Sequence, residues 1–177
     1  MADNSLVYSH SESSAQGPIP SVWLVKLYHG TNFVGEFVLG RANKIKRKNG
    51  NIASGCTWYT GRMCNMGGWK LSTSMWANKY KVSPKMSLEE SLGLYEQDLY
   101  KNGQYQKLSL LQGHVLGCFC PVEGRSLSQI LAKPICHNEI LLRAVFYLWY
   151  NHYSAKHNVI LSYDTVEIPF DWNNKTN

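Results

Sequence analysis

A chain of 177 residues, 44% hydrophobic and 17% charged, has the size and composition to fold as one domain around its own core. No run approaches the roughly 20 continuous apolar residues of a membrane span, and Met1 to Pro20 has neither the basic nor the apolar block of a secretory signal, which speaks against membrane and secreted classes. The formal charge of +6 is concentrated in Arg41, Lys44, Lys46, Arg47 and Lys48, five cations within eight residues.

In chain order, residues 1–20 are rich in Ser, with Gly17, Pro18 and Pro20, and predict a flexible tail. Val22 to Tyr28 alternates apolar and polar positions, Gly30-Thr31-Asn32 turns, and Phe33 to Leu39 alternates again, which predicts an N-terminal hairpin. The basic run Arg41 to Lys48 follows as a loop, closed by Asn49-Gly50. It reads as a solvated loop, a phosphate-contacting loop or an import patch. Cys56 to Thr60 is β-branched and aromatic, a buried strand that exits at Gly61-Arg62. Trp69 to Val82 is irregular, with Trp69, Trp76 and Tyr80 as anchors.

Ser87-Leu88-Glu89-Glu90 is a capping box, and Leu88, Leu92, Tyr95 and Leu99 continue at helical spacing until Asn102-Gly103 ends the helix. A shorter helical piece is expected near Tyr105 to Leu111. His114 to Cys120 predicts a strand that Pro121 stops, and a short helix is expected around Ser126 to Leu131. Glu139 to Tyr150 is apolar nearly all round and predicts a buried helix. Val159 to Phe170 has strand character, and residues 171–177 are polar and expected to fray. Strands alternating with helices predict an α/β fold, a small two-layer or three-layer sheet with helices and an added N-terminal hairpin, as a single domain over 21–170.

The candidate site lies between Gly113 and Leu142. Side chains two apart share one face of a strand, so Cys118 and Cys120 point together while Gly117 and Phe119 face the other way. Ligands gather at the carboxyl ends of strands in open α/β sheets. If the Cys56–Thr60 and His114–Cys120 strands are neighbours, Arg62, Cys120 and the Cys136-His137 helix start share one crevice. A helix N-terminus and a guanidinium favour an anion, most simply a nucleotide or phosphorylated small molecule. Glu139 reads as a partner of the helix dipole, or as a general acid or base. His137 reads as a capping residue, an acid/base catalyst or a metal ligand. Cys118 and Cys120 read as small buried hydrophobes, and Cys136, at a helix start, as a candidate nucleophile. All five cysteines lack a disulfide-framework spacing and read as reduced thiols, which implies a cytoplasmic or nuclear compartment.

Zinc is the rival reading of the same residues. Cys118, Cys120, Cys136 and His137 form a three-cysteine, one-histidine set of the soft kind that zinc prefers. The spacing runs against it, with one residue inside the first pair and none inside the second, where paired ligands usually leave at least two. Cys56 and Cys64 are alternative donors from the other strand.

Trp58-Tyr59-Thr60-Gly61-Arg62, Gly67-Gly68-Trp69-Lys70-Leu71 and Ser74-Met75-Trp76-Ala77-Asn78-Lys79-Tyr80, closing with Leu116-Gly117-Cys118-Phe119-Cys120 and Cys136-His137-Asn138-Glu139, form an ordered set of motifs. The set resembles the uncharacterised family catalogued as domain of unknown function 4326, over about half the chain. The resemblance implies a small α/β domain and a shared polar set of Arg62, Asn78, Cys118, Cys120, Cys136 and His137, with no activity attached. Lys79 and Tyr80 stand where the family has Pro and Phe, and Asn138-Glu139 where it has Gly-Asp. Three functions follow as expectations. The first is binding or processing of a nucleotide or phosphorylated metabolite by Arg62, Asn78, His137 and Glu139. The second is a nucleic-acid-associated module using Arg41 to Lys48. The third is a structural or protein-interaction factor, zinc-stapled in one version.

Overall fold

The computed structural model describes residues 21–48, 52–120 and 124–171, with the backbone alone for 46–48 and 52–54. The expected tail (1–20), the Asn49-Gly50 closure, the stop at Pro121 and the polar end beyond Asp171 lie outside the described residues. Eight strands form two three-stranded sheets and one two-stranded sheet among the described residues. Strands β1 (Val22–His29) and β2 (Asn32–Leu39) form the predicted antiparallel hairpin, and β8 (Ser162–Ile168) pairs with β1 from the far end of the chain. The second sheet is parallel, in the order β3 (Ala42–Lys44), β7 (Leu116–Cys118), β6 (Trp58–Tyr59).

The basic run is therefore not a loop. Its first half is β3, held to β7 by Leu116 N–H donating to Arg41 O (2.7 Å) and Ile45 N–H donating to Cys118 O (3.0 Å). Its second half is β4 (Lys46–Lys48), paired antiparallel with β5 (Ile52–Ser54). Ile45, 4% exposed between the two strands, is the apolar anchor that keeps this charged segment on the protein. Arg41 is drawn off the run altogether, ion-paired with Glu167 on β8 and stacked over Trp23 at 4.6 Å.

Helix α1 (Leu88–Lys101) starts at the predicted capping box, with Ser87 and Glu90 bonding each other's backbone amides and Leu92, Tyr95 and Leu99 buried along one face. A 3-10 helix (Gln104–Leu111) follows. Helix α2 (Leu127–Ala132) starts at a second capping box, Ser126 with Gln129. Helix α3 (His137–His157) is buried along its first half only. At 21 residues it outruns the core, and Tyr147 and Leu148 are each 42% exposed. It packs against β2, β3 and β7, and also against α1, α2 and the 3-10 helix. Its Phe146 meets Phe37 of β2 at 5.9 Å, in a core that also holds Trp23, Val25, Leu27, Leu116 and Leu141. No helix among the described residues is long and apolar enough to cross a membrane.

Candidate functional site

The two strands expected to be neighbours are hydrogen-bonded neighbours. Trp58 stands opposite Leu116 and Tyr59 opposite Gly117, and Thr60 N–H continues the ladder to Gly117 O at 2.9 Å. Such tight registry has a steric condition at Gly117. A Cβ there would lie 2.4 Å from Cys56 Sγ and 2.5 Å from Ile45 Cγ2, so only glycine lets the flanking strands close over β7.

Beyond β7 the backbone bends, and Cys120 N–H donates to Cys118 Sγ at 3.3 Å. This turn swings the second thiol back over the first. Cys136 then arrives as the N-cap of α3, in extended conformation and with no side-chain cap hydrogen bond, so its thiol is free to face the others. The three Sγ atoms lie within 4.8 Å of one another. Cys118 and Cys136 are buried, while Cys120 is partly exposed. Phe119 turns the other way, edge-on to Trp69 (5.5 Å) and Tyr59 (6.3 Å). Cys56 is buried against Gly117 on that opposite side. All five cysteines are free thiols.

His137 is buried beside this cluster. Its Nε2 is 3.0 Å from Thr60 O and its Nδ1 is 3.9 Å from Cys120 Sγ. A carbonyl oxygen only accepts, so Nε2 carries a proton and donates it to Thr60, which leaves Nδ1 as the ring nitrogen facing the thiols. Tyr95 of α1 covers the imidazole edge-on at 5.6 Å, and its hydroxyl donates to Trp76 O at 2.7 Å. Burial pushes the Tyr95 phenol up, so it stays a protonated donor. Tyr95→Phe is expected to leave that buried carbonyl without its partner and to cost about 1–2 kcal/mol in urea unfolding, with the fold retained.

Hydrogen bonding among the three thiols and their burial push their acidities apart. Hydrogen bonding from Cys118 and Cys136, then the neighbouring His137, hold Cys120 far below the usual thiol range. Cys118 is raised by hydrogen bonding to Cys120 and Cys136 and by burial. Hydrogen bonding to Cys118 lowers the Cys136 thiol, but hydrogen bonding to Cys120 and burial outweigh it and leave it raised to about 12.

The remaining expected residues make their own local contacts. Asn78 is tied on both ends of its amide, donating to Ser91 Oγ (3.0 Å) and accepting from Tyr80 N–H (2.9 Å), which fastens its loop to α1. The two departures beside it fit this role, because Lys79 and the Tyr80 hydroxyl both reach Asp98 of α1. Glu139, fully buried, turns away from His137. Its Oε1 is in ionic contact with Arg125 Nε at 2.8 Å, without hydrogen-bond alignment, and its Oε2 accepts from Ile135 N–H at 2.7 Å. Neighbours at a helix start lie about 100° apart around the axis, so residues 137 and 139 face opposite sides. Arg62 is exposed at the strand end, its backbone oxygen accepting from Tyr59 Oη at 2.5 Å. Thr60 and Asn138 are the site residues that composition did not flag. The Thr60 hydroxyl bonds Gly117 O at 3.0 Å and the Asn138 side chain, locking the α3 start to the strand ends.

Comparison with known proteins finds the family described as "Domain of unknown function (DUF4326)", whose model matches residues 43–146. An uncharacterised protein of Acanthamoeba polyphaga mimivirus is 29% identical over 100 residues, covering 56% of this chain and 75% of that protein. No solved structure matches significantly. The matched segment runs from β3 to the buried half of α3 and holds the thiol cluster, whereas the sheet of β2, β1 and β8 lies outside it.

Proposed function

The chain belongs to the DUF4326 family, and we propose that it is a metal-binding domain whose centre, of the zinc type, joins the end of β7 to the start of α3. The observation that carries this reading is the convergence of Cys118, Cys120 and Cys136 Sγ within 4.8 Å. A tetrahedral zinc with Zn–S near 2.3 Å asks for sulfurs about 3.8 Å apart, a small contraction from there. His137 Nδ1, on the ring side away from the Thr60 contact and 3.9 Å from Cys120 Sγ, is the side-chain nitrogen offered for the fourth position. The spacing objection loses its force here. The bend after Cys118 folds Cys120 back, and Cys136 and His137 enter from an extended residue and the first helical one.

A metal here would draw together three thiol sulfurs that otherwise crowd one corner, two of them on buried residues. The role is structural first, since α3 is the element around which the core is assembled. The nucleotide reading draws less from the geometry, because Asn78 and Glu139 are engaged in loop and ion-pair contacts away from His137.

Cobalt(II) titration of the reduced protein tests the metal reading. The expected result is one equivalent bound, with strong thiolate charge-transfer absorption and tetrahedral ligand-field bands. Cys118→Ser and Cys136→Ser should abolish the spectrum, and His137→Ala should shift the ligand-field bands while keeping the charge transfer. Zinc at about 1,000 times its dissociation constant should stabilise the fold by about 4 kcal/mol. Failure of cobalt and zinc to bind stoichiometrically would refute the reading, and a nucleotide that alone raised the melting temperature would favour the anion site.

A further inference from the structure

Between Glu36 and Glu89 the chain carries ten of its 18 basic residues and none of its 12 acids. Charge is thus segregated far beyond the short run at 41–48. Arg41 is answered by Glu167 and Lys79 by Asp98, but Lys44, Arg62 and Lys70 are exposed and have no ion-pair partner among the described residues. The topology gathers these three at one end of the parallel sheet. Lys44 closes β3 opposite Cys118, and Arg62 follows the exit of β6. Lys70 stands in the turn closed by the Cys64–Leu71 bridge, next to Trp69.

The same sheet end is aromatic. Phe119, one residue beyond β7, leans edge-on between Tyr59 and Trp69 yet keeps 43% of its surface in solvent. Met63 and Met66, 64% and 80% exposed, lie in the loop between Arg62 and Trp69. Unpaired cations at the same sheet end as an exposed, propped aromatic suit a ligand that alternates negative charges with flat apolar faces. A duplex hides its base faces, and an acidic peptide supplies charge but nothing for Phe119 and the methionines.

We propose that this end of the parallel sheet binds single-stranded nucleic acid, with Lys44, Arg62 and Lys70 on phosphates and Phe119 stacking on a base. The observation is independent of the thiol cluster, to which none of these side chains belongs, so loss of metal and loss of binding are read separately.

The test is fluorescence anisotropy of a labelled oligothymidylate with the full chain. Three phosphate contacts on a single strand predict a fall in affinity of about twentyfold between 50 and 200 mM salt. Arg62→Glu with Lys70→Glu should weaken binding more than about tenfold and flatten the salt response to about threefold. Phe119→Ala should weaken binding while leaving the salt response intact, which separates stacking from charge. Lys107→Glu with Lys156→Glu makes the same change in net charge at exposed positions outside the acid-free segment, and should alter affinity less than about twofold. Equal loss in that control, tighter binding of the duplex, or equal competition by polyglutamate would each overturn the proposal.

Discussion

Arg125→Ala is expected to destabilise the fold by roughly 3–5 kcal/mol, the cost of leaving a buried carboxylate without its counter-ion. Glu139 is 0% exposed, and Arg125 is its only ion-pair partner among the described residues. One backbone amide, from Ile135, bonds the other oxygen. Arg125 contributes twice more, since its Nη2 donates to Gln129 O (3.1 Å) and Lys133 O (2.5 Å) at the end of α2. The two contributions separate in a double variant. Adding Glu139→Gln to Arg125→Ala removes the buried charge while keeping the acceptor for Ile135, and should recover more than half of the loss. Urea denaturation followed by circular dichroism measures both. A single variant within about 1 kcal/mol of wild type would show that Arg41, which lines the same small cavity of about 20 Å³, takes over the carboxylate.

Gly40→Ala should be more damaging still. A Cβ at Gly40 would lie 1.7 Å from the carbonyl oxygen of His114 and 2.6 Å from its carbon, a clash with backbone that no rotamer relieves. His114 cannot retreat. Its amide donates to Leu111 O, its ring bonds the Thr57 hydroxyl at 3.0 Å, and Trp58 abuts it edge-on at 4.9 Å. Gly40 is also the point where the antiparallel sheet gives way to the parallel one. A loss of at least about 4 kcal/mol, or failure to accumulate folded protein, is expected. Gly93→Ala is the control. That glycine lies inside α1, and an added Cβ meets nothing within 4 Å, so the variant should gain about 0.5–1 kcal/mol. A Gly40→Ala protein with wild-type melting would mean that β2 and the His114 turn slide apart more easily than their bonding implies.

Features written in local pattern were legible in the sequence. The capping box at Ser87, the hairpin turn at Gly30-Thr31 and the helix start at Ser126 each depend on residues within one turn of each other. The adjacency of the Trp58 and Leu116 strands entered as a condition on the site, and the parallel ladder meets it. What escaped was set by direction and distance. Composition marks Arg41 to Lys48 as solvated, yet the one apolar Ile45 is enough to lay the backbone beside β7. Glu139 and His137 sit two apart in sequence, which on a helix puts them on opposite sides, so they serve different neighbours. The thiol spacing looked unfavourable because ligand intervals assume a regular turn, while here a strand end and an extended N-cap bring the sulfurs together. The absence of acids from 37 to 88 needs only counting, but a window centred on the densest cations conceals it.

The outer sheet joins strands from opposite extremes of the described chain, with Val22 paired to Ile168 and Tyr28 to Ser162. During synthesis β1 and β2 therefore leave the ribosome long before their third strand exists. The hairpin's apolar residues Trp23, Val25 and Leu27 share their core with Ile140, Leu141 and Phe146 of the helix beginning at His137, which is made much later. β8 is the last described element to be made, and a nascent chain halted before Ser162 leaves the β1 edge that β8 covers open to any chaperone or neighbouring strand that meets it.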